Sequence, residues 1–230
     1  MSSVPPGGSP PLPQSLIEAL GQARTWGFLG DGPLDVQVAH AEGFADAADG
    51  TMSGGPWMDL GSGGGIPGLV LAHRWPDRGA VLLDSSERRT RFLAQVVEDQ
   101  GWGSRVRVVT DRAEVAGHSE DLRGVFSLVV ARSFGSPPVT AECAAPFLRQ
   151  GGILIVSEPP VSSPGDDGAQ ARWPEKGLAS VGLERLSVWR GAFGYQLMRQ
   201  KTPCPERFAR RVGVPAKRPL YRVGDGPPPV

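Results

Sequence analysis

One feature limits what this chain can fold into more than any other: from residue 57 onward, short unbroken apolar runs alternate with segments of helical period. Residues 57–60, 80–84, 106–109, 125–131 and 152–157 read as strands, and the stretches 67–75, 86–100 and 140–148 between them carry apolar residues at steps of three and four. A strand that is apolar along its whole length has both faces covered. Five of them spaced by helices imply an α/β fold built on a mostly parallel sheet. Two later runs, 183–189 and 193–199, flank Gly191 and predict a hairpin.

The flanks differ from this centre. Residues 1–13 are rich in Pro, Ser and Gly and predict a disordered tail. Residues 14–50 predict a short helical N-terminal extension. In it Ser15 caps a helix whose Leu16, Leu20 and Ala23 share a face, and a second helix over 34–48 aligns Leu34, Val38, Ala41 and Ala45. The main domain is expected over 51–200. Within it, 158–174 reads as a long mobile loop, and Trp173 is the one tryptophan placed to stack on a base. Residues 201–230 form a basic, Pro/Arg-rich tail.

Charge sharpens that last point. The 230 residues balance at zero, yet 199–222 holds eight basic residues and one acid, Glu206. A basic end on an acidic body points to nucleic acid, with Lys201, Arg207, Arg210, Arg211, Lys217 and Arg218 as the phosphate-binding candidates. This tail is expected to serve RNA alone, so that its removal leaves cofactor affinity nearly unchanged. No run of about 18 apolar residues exists to span a membrane, and no secretory leader is visible. Cys143 and Cys204 are too few for a disulfide framework. His40, His73 and His118 share no ligand spacing, so no metal site is expected. A cytoplasmic protein follows.

The chemistry concentrates at 58–68, Met-Asp-Leu-Gly-Ser-Gly-Gly-Gly-Ile-Pro-Gly, between the first strand and the first helix of the alternating part. Gly63, Gly65 and Gly68 match the pattern of a dinucleotide loop. Asp59, two residues before Gly61, argues for a different ligand. A pyrophosphate gains nothing from an added carboxylate, whereas the sulfonium and ammonium of S-adenosylmethionine do. Asp84 ends the second strand 19 residues after Gly65 and can accept from both ribose hydroxyls, which suits either class. A nucleotide-free structural glycine turn is the third possibility. Asp111 to Glu114 follows the third strand, where such a loop borders adenine, and Arg132 ends the fourth, where donor and acceptor meet.

Taken together, these blocks resemble the bacterial small-subunit rRNA guanine-N7 methyltransferases, also called glucose-inhibited division protein B. The likeness rests on Asp59 through Gly68, on Leu82-Leu83-Asp84-Ser85 with Arg89-Thr90-Arg91-Phe92-Leu93, on Arg112-Ala113-Glu114, on Ala131-Arg132-Ser133-Phe134, and on the arginine-rich tail from Thr202 to Leu220. The resemblance implies a Rossmann-like class I methyltransferase with a seven-stranded sheet, S-adenosylmethionine as donor, and guanine N7 of 16S rRNA in the small ribosomal subunit as acceptor. The protein is expected to act as a monomer. It also implies that Gly61, Ile66, Ala113, Glu114 and Arg132 contact the cofactor. Asp59, Gly63, Gly65 and Asp84 join them from the reading of the loop. No catalytic base is expected, because N7 carries a lone pair and no proton. Two family elements are missing. Asp35-Val36-Gln37-Val38-Ala39 precedes His40 in place of Asn-Leu-Thr, and Ser157-Glu158-Pro159-Pro160 stands where Lys-Gly is common. An acid in place of that cation leaves open a different acceptor, or a cofactor-binding module without rRNA methylation.

Overall fold

A computed structural model describes residues 11–51, 54–160 and 169–223. Two helices, α1 (Gln14–Thr25) and α2 (Leu34–Ala48), precede the alternating part. Next come β1 (Trp57–Leu60), α3 (Gly68–Arg74), β2 (Ala80–Asp84), α4 (Glu87–Asp99), β3 (Val106–Thr110), α5 (Ala113–Ala116), β4 (Phe126–Ala131), α6 (Pro137–Ala144) and β5 (Leu148–Glu158). The chain closes with α7 (Ala169–Arg172), α8 (Glu175–Ala179), β6 (Leu183–Arg190), β7 (Gly194–Gln200) and α9 (Val214–Lys217).

The seven strands form one sheet in the order β3-β2-β1-β4-β5-β7-β6. The first five are parallel, and β7 inserts antiparallel between β5 and β6. Strand order reverses at β1 and β4, so a crevice opens at their carboxyl ends, where open α/β sheets hold ligands.

The apolar runs are explained by two cores, one per face. Trp57, Leu82, Leu128 and Ile155 face Leu20, Phe44, Leu69 and Leu93 of α1 to α4. Their sequence neighbours Met58, Leu83, Val129 and Leu154 face Phe147, Trp173 and Leu178 on the other side. Alternate residues of one strand thus feed opposite cores. The N-terminal helices share the first core with the sheet.

Three local expectations change. Ser15 does not cap α1: the helix begins at Gln14 after Pro13, whose carbonyl accepts from the Leu16 and Ile17 amides at 3.0 and 3.1 Å. The proline sets the entry direction, and the Ser15 hydroxyl accepts from Gln100 Nε2 at 3.0 Å, beside the end of α4. The helix foreseen at 140–148 starts at Pro137, a residue suited to a first turn, and its last residues pass through a 3₁₀ turn into β5. Residues 161–168 of the expected loop lie outside the described part. Its ends are ordered elements, with Glu158 in β5 and Trp173 only 1% exposed, its Nε1 donating to Glu158 Oε1 at 2.6 Å. Trp173 is a core residue and offers no face for stacking.

The basic tail is the largest departure. Residues 201–223 fold back over α5 and α6, with Phe208, Ala209 and Pro215 buried. Arg123 ties this strap down by donating to the carbonyls of Cys204, Pro205 and Phe208 at 2.7–3.0 Å. His118 Nε2 meets the Ala209 carbonyl at 2.7 Å.

Candidate functional site

The loop after β1 is shaped from both sides. The Gly61 and Ser62 amides donate to the Leu83 carbonyl at 2.8 and 2.9 Å, which carries the β1–β2 pairing one step past the strand. Gly61 sits at φ +77°, and a Cβ there would lie 2.6 Å from the Phe134 ring. Only glycine satisfies both the backbone and that approach. Beneath the loop, Asp59 is fully buried, and its Oδ2 accepts from the Gly68 amide at 2.9 Å, at the start of α3. A Cβ on Gly68 would collide with that carboxylate. Burial raises the Asp59 pKa to about 7, against lowering contributions from its hydrogen bonds to Ser62 and Gly68. Its Oδ1 has no hydrogen-bond partner among the described residues.

Asp84 completes the frame. Its Oδ2 accepts from the Gly63 amide and its Oδ1 from the Ser86 amide, both at 2.9 Å, with Arg89 at 3.8 Å. Each oxygen keeps a further lone pair.

A cleft of about 440 Å³ opens above this frame, lined by Gly61, Asp84, Ala113, Glu114, Phe134 and Ala216, among others. It therefore gathers Gly61, Asp84, Ala113 and Glu114 of the residues singled out from sequence. The other five lie off its wall. Asp59 faces inward under the loop. Gly63 contributes an amide to Asp84. A Cβ on Gly65 would run into Leu69. Ile66 is 6% exposed, within the core, and Arg132 lines the adjoining cavity. Ala216 was invisible as a lining residue, since nothing in its neighbourhood of sequence shows that the tail returns to the cleft. Glu114 makes the same connection. Burial alone would raise its pKa, but the Gly213 amide at 3.1 Å, its own backbone amide and Arg112 at 3.2 Å outweigh that and lower it.

A second cavity, about 480 Å³, lies at the ends of β4 and β5. Its walls include His40, Arg132, Phe134, Glu158, Arg172 and Trp173. It shares Ser133, Phe134 and Gly135 with the first. Arg132 Nη2 donates to Gln37 Oε1 at 3.3 Å, and burial lowers its pKa. Burial, assisted by Arg132, pushes His40 down to about 4, so this imidazole is neutral at physiological pH. Glu158 accepts from Arg172 Nε at 2.8 Å.

The six cations proposed for RNA separate. Arg207, Arg211, Lys217 and Arg218 are exposed on the strap. Lys201 is exposed and paired with Glu184 at 3.2 Å. Arg210 is turned inward, and its Nε and Nη2 donate to Glu142, a fully buried carboxylate on α6, at 2.8 and 2.5 Å. Its backbone amide reaches the same carboxylate at 3.0 Å. Arg210 therefore anchors the strap, and its guanidinium is already committed. The clue was Glu142 itself, a lone acid within the apolar stretch Ala141 to Phe147.

No described helix is long and apolar enough to cross a membrane. Among the described residues, no three His, Cys, Asp or Glu side chains group as a metal site.

Comparison with known proteins agrees with this geometry. Residues 44–158 match the family model described as GidB, rRNA small subunit methyltransferase G. A ribosomal RNA small subunit methyltransferase G of Prochlorococcus marinus (strain MIT 9303) is 39% identical over 166 residues, covering 71% of this chain and 67% of that relative. The protein of that name from Deinococcus radiodurans is 32% identical over 191 residues, covering 81% and 75%. In fold, the chain is similar to the SAH-bound Podospora anserina methyltransferase, with TM-score 0.57 at 16% identity over 85% of this chain and 91% of the other. It is also similar to a putative O-methyltransferase from Klebsiella pneumoniae, with TM-score 0.56 at 15% identity over 82% and 90%. The α/β Rossmann-like methyltransferase fold follows.

Proposed function

Because the chain belongs to the rRNA small subunit methyltransferase G family, we propose that it transfers a methyl group from S-adenosylmethionine to N7 of a guanine in 16S rRNA of the small ribosomal subunit. S-adenosylmethionine, when bound, supplies a methyl group on a positively charged sulfur. The residues of the first cleft fit that donor. Asp84 offers free carboxylate lone pairs for sugar hydroxyls, Ala113 and Leu83 offer an apolar wall for a base, and Gly61 leaves the backbone open to close approach. Asp59, Gly63, Gly65 and Ile66 act from below, holding the loop in shape. Glu114 holds the strap against the cleft, and Arg132 serves the acceptor side.

The observation that carries this reading is the junction of the two cavities at Ser133, Phe134 and Gly135, in a chain of this family. Two ligands seated side by side there meet across one short loop, and holding them in line is the main work. Guanine N7 needs no deprotonation. The neutral His40 and the two guanidinium groups near the acceptor cavity accord with a site that positions its substrates and removes no proton. The acid at 158, which in sequence favours another acceptor, is balanced by Arg172. The exposed cations Lys201, Arg207, Arg211, Lys217 and Arg218 serve rRNA phosphates. One chain supplies both cavities and the basic surface, as a monomer needs, and a small-subunit rRNA substrate accords with action in the cytoplasm.

The test is incubation of the purified protein with methyl-labelled S-adenosylmethionine and small subunits from a strain lacking the gene. Label recovered in 16S rRNA as 7-methylguanine is the expected result. Label absent from the RNA, or present on another atom, overturns the proposal.

A further inference from the structure

The acceptor cavity contains an ion pair for which the transfer of the methyl group has no evident use. Glu158 closes β5 with a side chain only 6% exposed, and it holds two partners, Trp173 Nε1 at 2.6 Å and Arg172 Nε at 2.8 Å. Trp173 is immobilised in the core, so the carboxylate is fixed, and through it the guanidinium is fixed too. Arg172 spends one nitrogen on this contact. Its terminal Nη1 and Nη2 have no hydrogen-bond partner among the described residues, its side chain is 32% exposed, and it lines the cavity.

A rigid fork of donors in a recess beside the methyl-donor cleft is suited to read an oxygen acceptor. Two sources exist on a nucleotide, a phosphate or a base carbonyl. The neighbouring Glu158 carboxylate repels a phosphate, whereas an uncharged base meets no such penalty. Phe134, half-buried at the junction of the cavities, adds an apolar wall for a flat ring. Enzymes that act on a base outside the stack commonly read it by hydrogen bonds in such a pocket. Resting on the guanine-N7 reading above, we propose that Arg172 recognises O6 of the target guanine and that Glu158 is its positioning residue. Adenine places an amino donor where guanine has O6, so the same fork rejects it.

The experiment uses small subunits reconstituted with either guanine or 2-aminopurine at the nucleotide that the wild-type protein methylates. 2-Aminopurine keeps N7 and the 2-amino group and lacks O6. Wild-type protein is expected to prefer guanine in kcat/KM by about 5- to 150-fold, the range of one good base contact. Arg172→Gln brings that ratio close to one while S-adenosylmethionine affinity stays within about twofold. Glu158→Gln narrows it part of the way, as expected for a residue that acts through Arg172. Arg172→Lys keeps the ion pair and loses the fork, so it gives an intermediate ratio with an unchanged melting temperature, and it serves if the glutamine variant does not fold. An unchanged ratio in the Arg172 variants overturns the inference, as does an equal loss on both substrates, which marks a phosphate contact or a purely structural residue. If wild-type protein methylates neither substrate, the functional reading itself fails and takes this inference with it, and that control is run before any variant.

Discussion

The loop after β1 and the strap at 201–223 both line the first cleft, and they are built in opposite ways. The loop is local: its hydrogen bonds run among residues 59, 61, 62, 63, 65, 68, 83 and 84, on two neighbouring strands and the turn that follows the first. The strap is assembled over long range, with Arg210 reaching Glu142, Gly213 reaching Glu114 and Arg123 reaching Cys204. The loop borders the cleft through Gly61. The strap faces two ways, with its inner side against that cleft and its cationic outer side toward solvent. A tail expected to serve RNA alone thereby also borders the cleft proposed for the donor.

The sharpest way to break this contrast is Arg210→Met. It leaves a fully buried Glu142 without its cation, at a cost of about 3–5 kcal/mol by urea denaturation. As the strap loosens, S-adenosylmethionine affinity falls with stability. Stability lost with donor affinity intact would separate the strap from the cleft. On the loop side, Gly68→Ala forces a methyl group against the Asp59 carboxylate and costs about 1–3 kcal/mol, measured the same way. It lowers donor affinity through the loop without changing the salt dependence of RNA binding.

Replacing Arg207, Arg211, Lys217 and Arg218 together by alanine probes the outer face. The slope of log affinity for rRNA against log salt drops by about one for each phosphate that is no longer neutralised, while donor binding by calorimetry stays within about twofold of wild type. A large loss of donor binding would show that these cations also support the inner face.

A further expected effect is a pH dependence confined to the loop. Asp59 has its pKa raised from 3.8 to about 7, mainly by burial, so the folded state prefers the protonated acid. Its contribution to stability is complete below pH 3.8 and is lost as pH rises through about 7. Asp59→Asn, which cannot ionise, flattens that part of the stability-pH curve. An unaltered curve would show that the acid titrates near its ordinary value in the fold.

The same contrast explains what could be read from the chain alone. Strand positions, the glycine turn, Asp84 and the Ala113-Glu114 step were legible because each depends on neighbours within a few residues or on one strand pairing. Helix ends were less so: Pro13 displaced Ser15 as the start of α1, because a fixed φ outweighed a side-chain cap. Asp59 was legible as special, and its charge suggested direct contact with a cation, but the Gly68 amide turned it inward. Trp173 and Arg210 turn toward buried partners that the sequence does not announce, for one reason. A Pro/Gly-rich or Arg-rich stretch looks solvated until its partner is known, and their partners, Glu158 and Glu142, lie 15 and 68 residues away. Composition carries no record of such pairings.

Methyl transfer by this chain requires that the first cleft hold a positively charged methyl donor. Calorimetric titration of the full chain with S-adenosylmethionine, with Asp84→Ala measured beside it, tests that most directly. Saturable binding to the wild-type chain, weakened by at least about tenfold in the variant through loss of charge-assisted hydrogen bonds, is the predicted result. No heat with S-adenosylmethionine, together with tight binding of a reduced pyridine nucleotide, would contradict it.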